Sequence, residues 1–428
     1  MFDRIKFNGY RLLDGFEADL GQLTVAIGAN GTGKSTILNA LMLITKSLEW
    51  PLEEVLTRQG GLYSILSRTG RGQKMGWEVS IRKPQTHPLW SQIPVGADMP
   101  LVFEGCVQND PTHRINLVHE CLRNAEPYQG YSHPLKLLDV RGNRALIYDQ
   151  HQKKLLPFND PASASEAAAT APAHWTVAEA GLPTPQISLL LSQMRFINAY
   201  PIPTWIRSFL ASSYYYPGFD VSPDSPVRTK LAEVKPQTVL NMNGDNLGTV
   251  LHEILTRHEY RDSARELQDF LAVAYPHVMG VSAETSYGGE PRLLVRVLET
   301  GFLRPTEIWE LSDGMLRFLL LCAALLNPVP PGMIAIDEPE AGLHPKLLPV
   351  IADMIRSASE RCQVLITTHS PELLNCFSLH DVAVVTREDG RAKWHRPGNH
   401  ESLHRMLEAE VGGTLGELHA SGELEAMS

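Results

Sequence analysis

Apolar and polar residues alternate over positions 2–7 and 16–20, and Asn8-Gly9 and Asp14-Gly15 interrupt them. The chain is therefore expected to open as two short half-buried strands. Leu23–Ile27 reads LTVAI, a near-continuous apolar run of the kind buried on both faces of a sheet. A glycine-rich turn follows. Ile37, Leu38, Leu41, Met42 and Ile44 then recur at helical spacing and predict a helix from Ser35 to about Leu48. Between about Trp77 and Phe158 the pattern favours short strands at 77–83, 101–107, 115–123, 135–140 and 144–149.

Residues 161–173 (PASASEAAATAPA) break this pattern. Seven of the thirteen are Ala, with no apolar periodicity, which reads as a linker. Residues 185–275 are mostly helical in pattern, as in 246–257 and 262–274. A strand pair at 281–285 and 292–299 leads into the last third. There a helix at 314–326 is followed by a strand at 333–336, a helix at 346–359, and strands at 364–367 and 381–387. Alternation of this kind predicts a mixed α/β sheet.

The chain has 428 residues, enough for two or three domains or for one domain with a large insertion. Apolar residues are 43% and charged residues 20%, which are globular values. Lys and Arg number 38 against 48 Asp and Glu, a net charge of −10 that argues against non-specific coating of nucleic acid. The longest apolar run, 318–326, is nine residues and too short to cross a bilayer, and the first residues lack the apolar core of a signal peptide. Five scattered cysteines (Cys106, Cys121, Cys322, Cys362, Cys376) contain no C-x-x-C pair. They are expected to be reduced thiols of a cytoplasmic protein rather than a disulfide framework or a zinc cage.

The strongest chemical signal is Gly28-Ala29-Asn30-Gly31-Thr32-Gly33-Lys34-Ser35, a complete G-x-x-x-x-G-K-[ST] between a buried strand and a helix. Its glycines let backbone N–H groups turn inward on a phosphate, and the helix start adds partial positive charge. Asn30 to Thr36 would hold the nucleotide, with Lys34 on the β and γ phosphates and the Ser35 hydroxyl on Mg²⁺. Met333-Ile334-Ala335-Ile336 ends in Asp337-Glu338. Asp337 is placed to hold the magnesium shell and Glu338 to polarise the attacking water. Ser312 and Gly314, in Leu311-Ser312-Asp313-Gly314, sit ahead of an apolar helix and read either as a plain N-cap or as an anion site. His369 follows a buried strand and can sense a γ-phosphate.

The ordered set GANGTGKST, LSDG, IAIDEPEAGLHP and LITTHSPELL resembles the ATP-binding-cassette ATPases of the SMC/RecF/OLD group, and within it the predicted AAA family ATPases. The opening FNGYRLLDGFEADLG and the closing TLGELHASGELEA are similar to the same group, and GGLYSIL and NMNGDNLGTVLHEIL more weakly so. The resemblance implies a P-loop NTPase of ABC type, α/β in class, with a mixed sheet core and an inserted, largely helical subdomain. Its expected parts are 1–158 and 305–428 as the two halves of the ATPase core and 159–304 as the linker and insertion. It implies ATP and Mg²⁺ as ligands and a head-to-tail homodimer. In that dimer Lys34, Ser35, Asp337 and Glu338 of one subunit face Ser312 and Gly314 of the other, and His369 matches the switch histidine. Ala341-Gly342-Leu343-His344 takes the place of the D-loop without its usual acidic residue, and Gln193 is a candidate for the Q-loop that reads more readily as a surface helix residue.

Other readings are weaker. His252-Glu253 with His258 misses the H-E-x-x-H spacing and is read as solvated. The 59 residues after His369 are too few for a Toprim nuclease, so a nuclease effector is expected as a separate protein. Arg68, Arg71, Lys74, Arg82 and Lys83 form a basic cluster, the first place to test for DNA or RNA. The leading expectation is an ATP-gated dimeric switch in anti-phage defence or DNA maintenance. The alternative is a slow-turnover nucleotide-sensing scaffold whose output is assembly. A transporter subunit and a kinase fit less well, and no membrane partner is expected.

Overall fold

The computed structural model describes residues 1–69, 74–82, 100–109, 115–127, 132–142, 144–149, 153–158, 188–195, 200–286, 291–399 and 414–426. The expected linker at 161–173 lies outside these, as do Arg71 and Lys83 of the basic cluster. The first strands are β1 (Phe2–Asn8), β2 (Phe16–Asp19), β3 (Leu23–Ile27), β4 (Lys74–Ile81), β5 (Leu101–Asn109), β6 (Ile115–Pro127), β7 (Pro134–Arg141), β8 (Arg144–Asp149) and β9 (Lys154–Pro157). They are followed by β10 (Ser213–Tyr216), β11 (Ala232–Glu233), β12 (Val278–Ser286), β13 (Arg292–Glu299), β14 (Thr306–Glu307), β15 (Met333–Asp337), β16 (Gln363–Thr367), β17 (Val382–Glu388) and β18 (Arg391–His395). The backbone divides into two compact units. One comprises 1–21, 29–213 and 385–395, and the other 22–28, 214–384 and 396–428. Residues 214–304 thus pack with the C-terminal third.

In the first unit an antiparallel sheet has the order β2-β1-β4-β5-β6-β7-β8-β9. The β1–β2 register sets Arg4 opposite Asp19 and Lys6 opposite Glu17, and the Arg4 guanidinium bonds Asp19 at 2.8 Å. Gly9 follows β1 at φ 73, where a Cβ would lie 2.2 Å from the Lys74 carbonyl oxygen, so only glycine fits this close approach. The helix α1 (Lys34–Lys46) buries Ile37, Leu38, Leu41 and Ile44, the apolar stripe read from the sequence. The strand expected at 381–387 is β17, whereas β18 was not anticipated. β17 ends at Glu388, and Asp389-Gly390, both at positive φ, return the chain as β18. A two-residue turn with both φ values positive matches the strand twist. β18 is tied to this unit by the Ala392 N–H on the Leu12 carbonyl at 2.9 Å and by Trp394 packed edge-on to Phe16.

In the second unit the sheet runs β10-β15-β16-β3-β17, with β15, β16, β3 and β17 mutually parallel. β3 and β16 are buried at every position, as expected of central parallel strands. The Asp313–Leu325 helix is buried almost all round, from Met315 through Leu325 apart from Arg317. It therefore forms the middle of the core rather than a surface helix. A smaller antiparallel sheet, β11-β13-β12 with β14 on β13, packs against the Leu247–Thr256 helix. The expectation of a mostly helical 185–275 is corrected here. Helices Pro201–Ala211, Leu247–Thr256 and Arg261–Ala274 are present, but residues 212–246 hold β10, β11, turns and only a four-residue helix, Pro226–Thr229. Pro217, Gly218, Pro223, Pro226, Pro236 and Gly244 punctuate that stretch and prevent a continuous helix. The helix expected at 346–359 begins with a 3₁₀ turn at Pro345–Leu347 and continues as Leu348–Arg361.

Candidate active site

β3 leads into the glycine-rich turn, in which Gly28, Gly31 and Gly33 all adopt positive φ. Ala29, Asn30, Gly31 and Ser35 are exposed, Thr36 is half-buried, and Thr32, Gly33 and Lys34 are buried. Within the turn, the Thr32 hydroxyl and the Lys34 ammonium both donate to the Ala29 carbonyl, each at 3.0 Å. These bonds close the loop on itself and hold the lysine stem along it. The first turn of α1 carries no capping side chain and no acidic residue. The helix start adds partial positive charge, the Ser35 hydroxyl stands exposed beside it, and the set fits a triphosphate with its cation.

In the second unit, Asp337 ends β15 opposite Thr367 of β16, and the Thr367 hydroxyl donates to the Asp337 carboxylate. Thr367 in turn lies opposite Ala26 of β3, and the Thr368 N–H bonds the Ala26 carbonyl at 3.1 Å. The carboxyl ends of β15, β16 and β3 therefore share one edge of a parallel sheet, the usual place for ligands in open α/β folds. Glu338 is held at φ 49 while its N–H donates to the Thr367 carbonyl at 3.0 Å. A left-handed glutamate costs about 1 kcal/mol, and the bond to Thr367 fixes it there. Its carboxylate is exposed and lies 3.6 Å from Nε2 of His369. A cleft of about 20 Å³, lined by Gly218, Arg317, Asp337 and Glu338 among others, has room for one water.

Two residues further, Glu340 accepts from the Thr368 hydroxyl at 2.5 Å and from the His369 N–H at 3.2 Å. Burial pushes its carboxyl above the usual range, against those two bonds. Sequence reasoning gave it no role, although it stands in the same acidic motif. Gly342 has φ 73, and the Ala341 N–H bonds the Glu338 carbonyl at 3.0 Å.

Ser312 caps the Asp313–Leu325 helix, its oxygen accepting the Met315 N–H at 3.3 Å. The plain N-cap reading is thus realised, yet the side chain is exposed and its O–H remains a donor. Gly314 is half-buried, and a Cβ there would lie 3.9 Å from both the Gly342 carbonyl oxygen and the Tyr275 hydroxyl. The loop before the helix is pinned by Arg228, which the sequence did not single out. Its buried guanidinium donates to the carbonyls of Val221 at 2.7 Å and Leu311 at 2.9 Å, and to Asp313 at 2.7 Å.

The remaining sequence candidates have surroundings of their own. Gln193 is half-buried in a 3₁₀ turn, Leu191–Gln193, of the first unit. His252 is half-buried, with Nδ1 2.8 Å from the Ala283 carbonyl, rather than solvated as expected. Glu253 pairs with Arg257 at 3.1 Å, and His258 is exposed. No helix among the described residues is long and apolar enough to cross a membrane.

Comparison with known proteins gives the same picture. Residues 225–375 match the domain family described as "AAA domain, putative AbiEii toxin, Type IV TA system". The chain is 29% identical over 151 residues to the Nod factor export ATP-binding protein I of Burkholderia lata, covering 34% of this chain and 45% of that protein. It is 30% identical over 93 residues to the Retron Vc95 probable ATPase of Vibrio cholerae, covering 22% of this chain and 18% of that one. The chain therefore spans less than half the length of these curated relatives. Among solved structures it is similar to the Smc head domain with an extended coiled coil bound to the C-terminal domain of ScpA from Pyrococcus furiosus. There the TM-score is 0.55 at 10% identity, covering 95% of this chain and 99% of the other. A second SmcHead structure, bound to the C-winged helix domain of ScpA, gives 0.54 at 11% identity over 92% and 97% of the two chains. A P-loop at the end of a buried strand and an acidic pair at the tip of a parallel strand one place removed thus sit in a chain whose fold is similar to that of the Smc head structures and which over part of its length resembles ABC-type ATP-binding proteins and the AAA domain family.

Proposed function

We propose that the chain binds ATP with Mg²⁺ and hydrolyses it as an ATP-gated, head-to-tail dimeric switch. The reading is carried by Glu338. An exposed carboxylate held in a left-handed conformation at a strand tip, 3.6 Å from a histidine, has no evident structural purpose.

In this reading the N–H groups from Asn30 to Thr36 cradle the phosphates, and Lys34 neutralises the β and γ oxygens. Ser35 and Asp337 hold the cation, whose bound form offsets charge on the phosphate oxygens. Glu338 orients a water and takes its proton as the water oxygen bonds to the γ-phosphorus and the β–γ bridging bond breaks. His369 donates to the γ-phosphate and registers its departure. Ser312 and Gly314 serve the nucleotide of the partner copy, the exposed Ser312 hydroxyl donating while its oxygen keeps the helix cap. Loss of the terminal phosphate then removes the link between copies. The insertion expected at 159–304, which falls between the P-loop and β15, carries that change outward.

The cellular role rests on the relatives' names, one a retron ATPase and one a domain tied to a toxin–antitoxin system. We infer a defence or DNA-maintenance role with a separate effector protein, such as a nuclease.

The test is Glu338→Gln. Phosphate release should fall by at least ~100-fold, while ATP still binds and the dimer, followed by light scattering, persists with ATP. If the wild type already turns over as slowly as the variant and both assemble alike, the slow-turnover scaffold is the right reading. If ATP never changes the mass of either protein, the dimeric switch fails.

A further inference from the structure

One side-chain cluster in the first unit has no part in nucleotide chemistry. The sheet register sets Glu104 of β5 opposite Cys121 of β6, and Cys121 opposite Asp139 of β7. His119 precedes Cys121 by two residues and so shares its face of the sheet. One ligand atom each from Glu104, His119 and Cys121 lies within 4.8 Å of the others. Cys121 is wholly buried, and Glu104 and His119 are half-buried. Nε2 of His119 is buried without a hydrogen-bond partner, its nearest carboxylate oxygen being Oδ1 of Asp139 at 3.4 Å.

Glu104 and His119 also line a depression of about 270 Å³ between Lys6, Gly76 and Glu78. Solvent and small ions therefore reach the cluster from one side. We propose that Glu104, His119 and Cys121 form a site for a zinc-class divalent cation.

The donor set selects the metal. One thiolate, one imidazole nitrogen and one carboxylate oxygen suit a borderline-soft cation of tetrahedral habit and not the all-oxygen shell of Mg²⁺ or Ca²⁺. A single cysteine does not build an iron–sulfur cluster. Three protein donors leave a fourth position for water from the depression or for Asp139, which lies across from Cys121. Turning Glu104 toward a cation does not orphan its present partner. Arg123, 3.2 Å from Glu104, also lies 3.5 Å from Glu78 and keeps that pairing. A bound cation would staple β5 to β6 in mid-sheet. The absence of C-x-x-C spacing hides such a site from a linear reading, because its donors come from two strands.

The test uses the full chain, stripped with a chelator and titrated with Co²⁺ without nucleotide. The wild type should bind one equivalent, with the strong visible bands of tetrahedral cobalt and a thiolate-to-cobalt charge-transfer band, and Zn²⁺ should displace it. Cys121→Ser should lose the charge-transfer band, Cys106→Ser should keep it, and His119→Ala should weaken binding at least ~10-fold. A wild-type titration without a charge-transfer band overturns the proposal, whatever the fate of the variants. So does a band that persists in Cys121→Ser.

Discussion

Glu120 gives the sharpest quantitative test of the physical reasoning. It is fully buried on β6, on the opposite face from Cys121. Its two oxygens accept the N–H groups of Leu190 at 2.6 Å and Leu191 at 2.8 Å. Burial disfavours the charged form and the two N–H donors favour it, and burial wins, raising the carboxyl from the ordinary 4.5 to about 7. The folded chain thus holds a proton that the unfolded chain has already released between those pH values. Stability from this group is complete below pH 4.5 and is lost as pH rises to about 7. At about 1.4 kcal/mol per pH unit the total is about 3 kcal/mol, with no discount for solvent because the group is enclosed. The perturbation is Glu120→Gln, which cannot titrate and which offers one acceptor where the carboxyl offers two. The assay is urea unfolding of both proteins at a series of pH values from 4.5 to 8. The variant carries a constant penalty of about 1–3 kcal/mol for the N–H left unpaired. Against that offset, the wild type minus variant difference should fall steadily with rising pH and level off above about 7. Subtraction cancels every other titrating group. A difference flat across the range would mean that the two N–H donors hold the carboxylate ionised throughout, and would refute the claim that burial dominates.

Three further outcomes follow from particular contacts. Arg228→Met should destabilise the second unit by about 2–4 kcal/mol in urea unfolding, since several buried carbonyls lose their donor; Asp313→Ala should cost far less, because that side chain is largely exposed. Gly105→Ala would set a Cβ 2.1 Å from the Trp77 ring, so a loss of stability of about 1–3 kcal/mol, seen in calorimetry as a lowered melting midpoint, is expected. Lys34→Ala should abolish binding of a fluorescent ATP analogue while leaving the far-UV circular dichroism unchanged, because the lysine's bond to Ala29 is local to the turn.

How much of this was legible in the sequence depended on the range of the interaction. Leu23–Ile27 and Met333–Asp337 were readable because a parallel strand covered on both faces must be apolar throughout, whatever surrounds it. The P-loop was readable because its glycines are fixed by local backbone geometry. Arg228 was not, because its carbonyl partners at Ile308 and Leu311 lie about eighty residues away and its own segment has no periodicity. The Glu104–Cys121 juxtaposition was hidden for the same reason, since cross-strand register is a property of the folded sheet. β18 is a different case. Asp389-Gly390 is a hairpin signal in its own right, and Arg-Ala-Lys-Trp-His after it alternates polar and apolar, so this strand was legible locally. The irregular course of 212–246 was masked by helical stretches on either side.

The acidic edge of the second unit shows why a motif alone does not assign chemistry. Asp337, Glu338 and Glu340 lie within four positions, and any of them is a carboxylate near a strand end. Their surroundings separate them. Asp337 is half-buried and receives the Thr367 hydroxyl, which orients its carboxylate. Glu340 is engaged by the Thr368 hydroxyl and the His369 N–H, and burial raises its proton affinity, so it serves to fix the backbone of His369 rather than to meet a water. Glu338 alone is exposed, conformationally strained and beside an imidazole. The strain supports the assignment. A left-handed backbone turns the Glu338 side chain away from the course that β15 would otherwise dictate, and the Thr367 carbonyl that holds it there belongs to the strand bearing His369. One strand thus sets the position of both partners. Thr367→Val, which removes the hydroxyl that bonds the Asp337 carboxylate and accepts the Glu338 N–H at 3.3 Å, should in the proposed reaction shift the cation-dependent and water-activating halves together. If only the magnesium dependence of turnover moved, the two carboxylates would not be coupled through that strand.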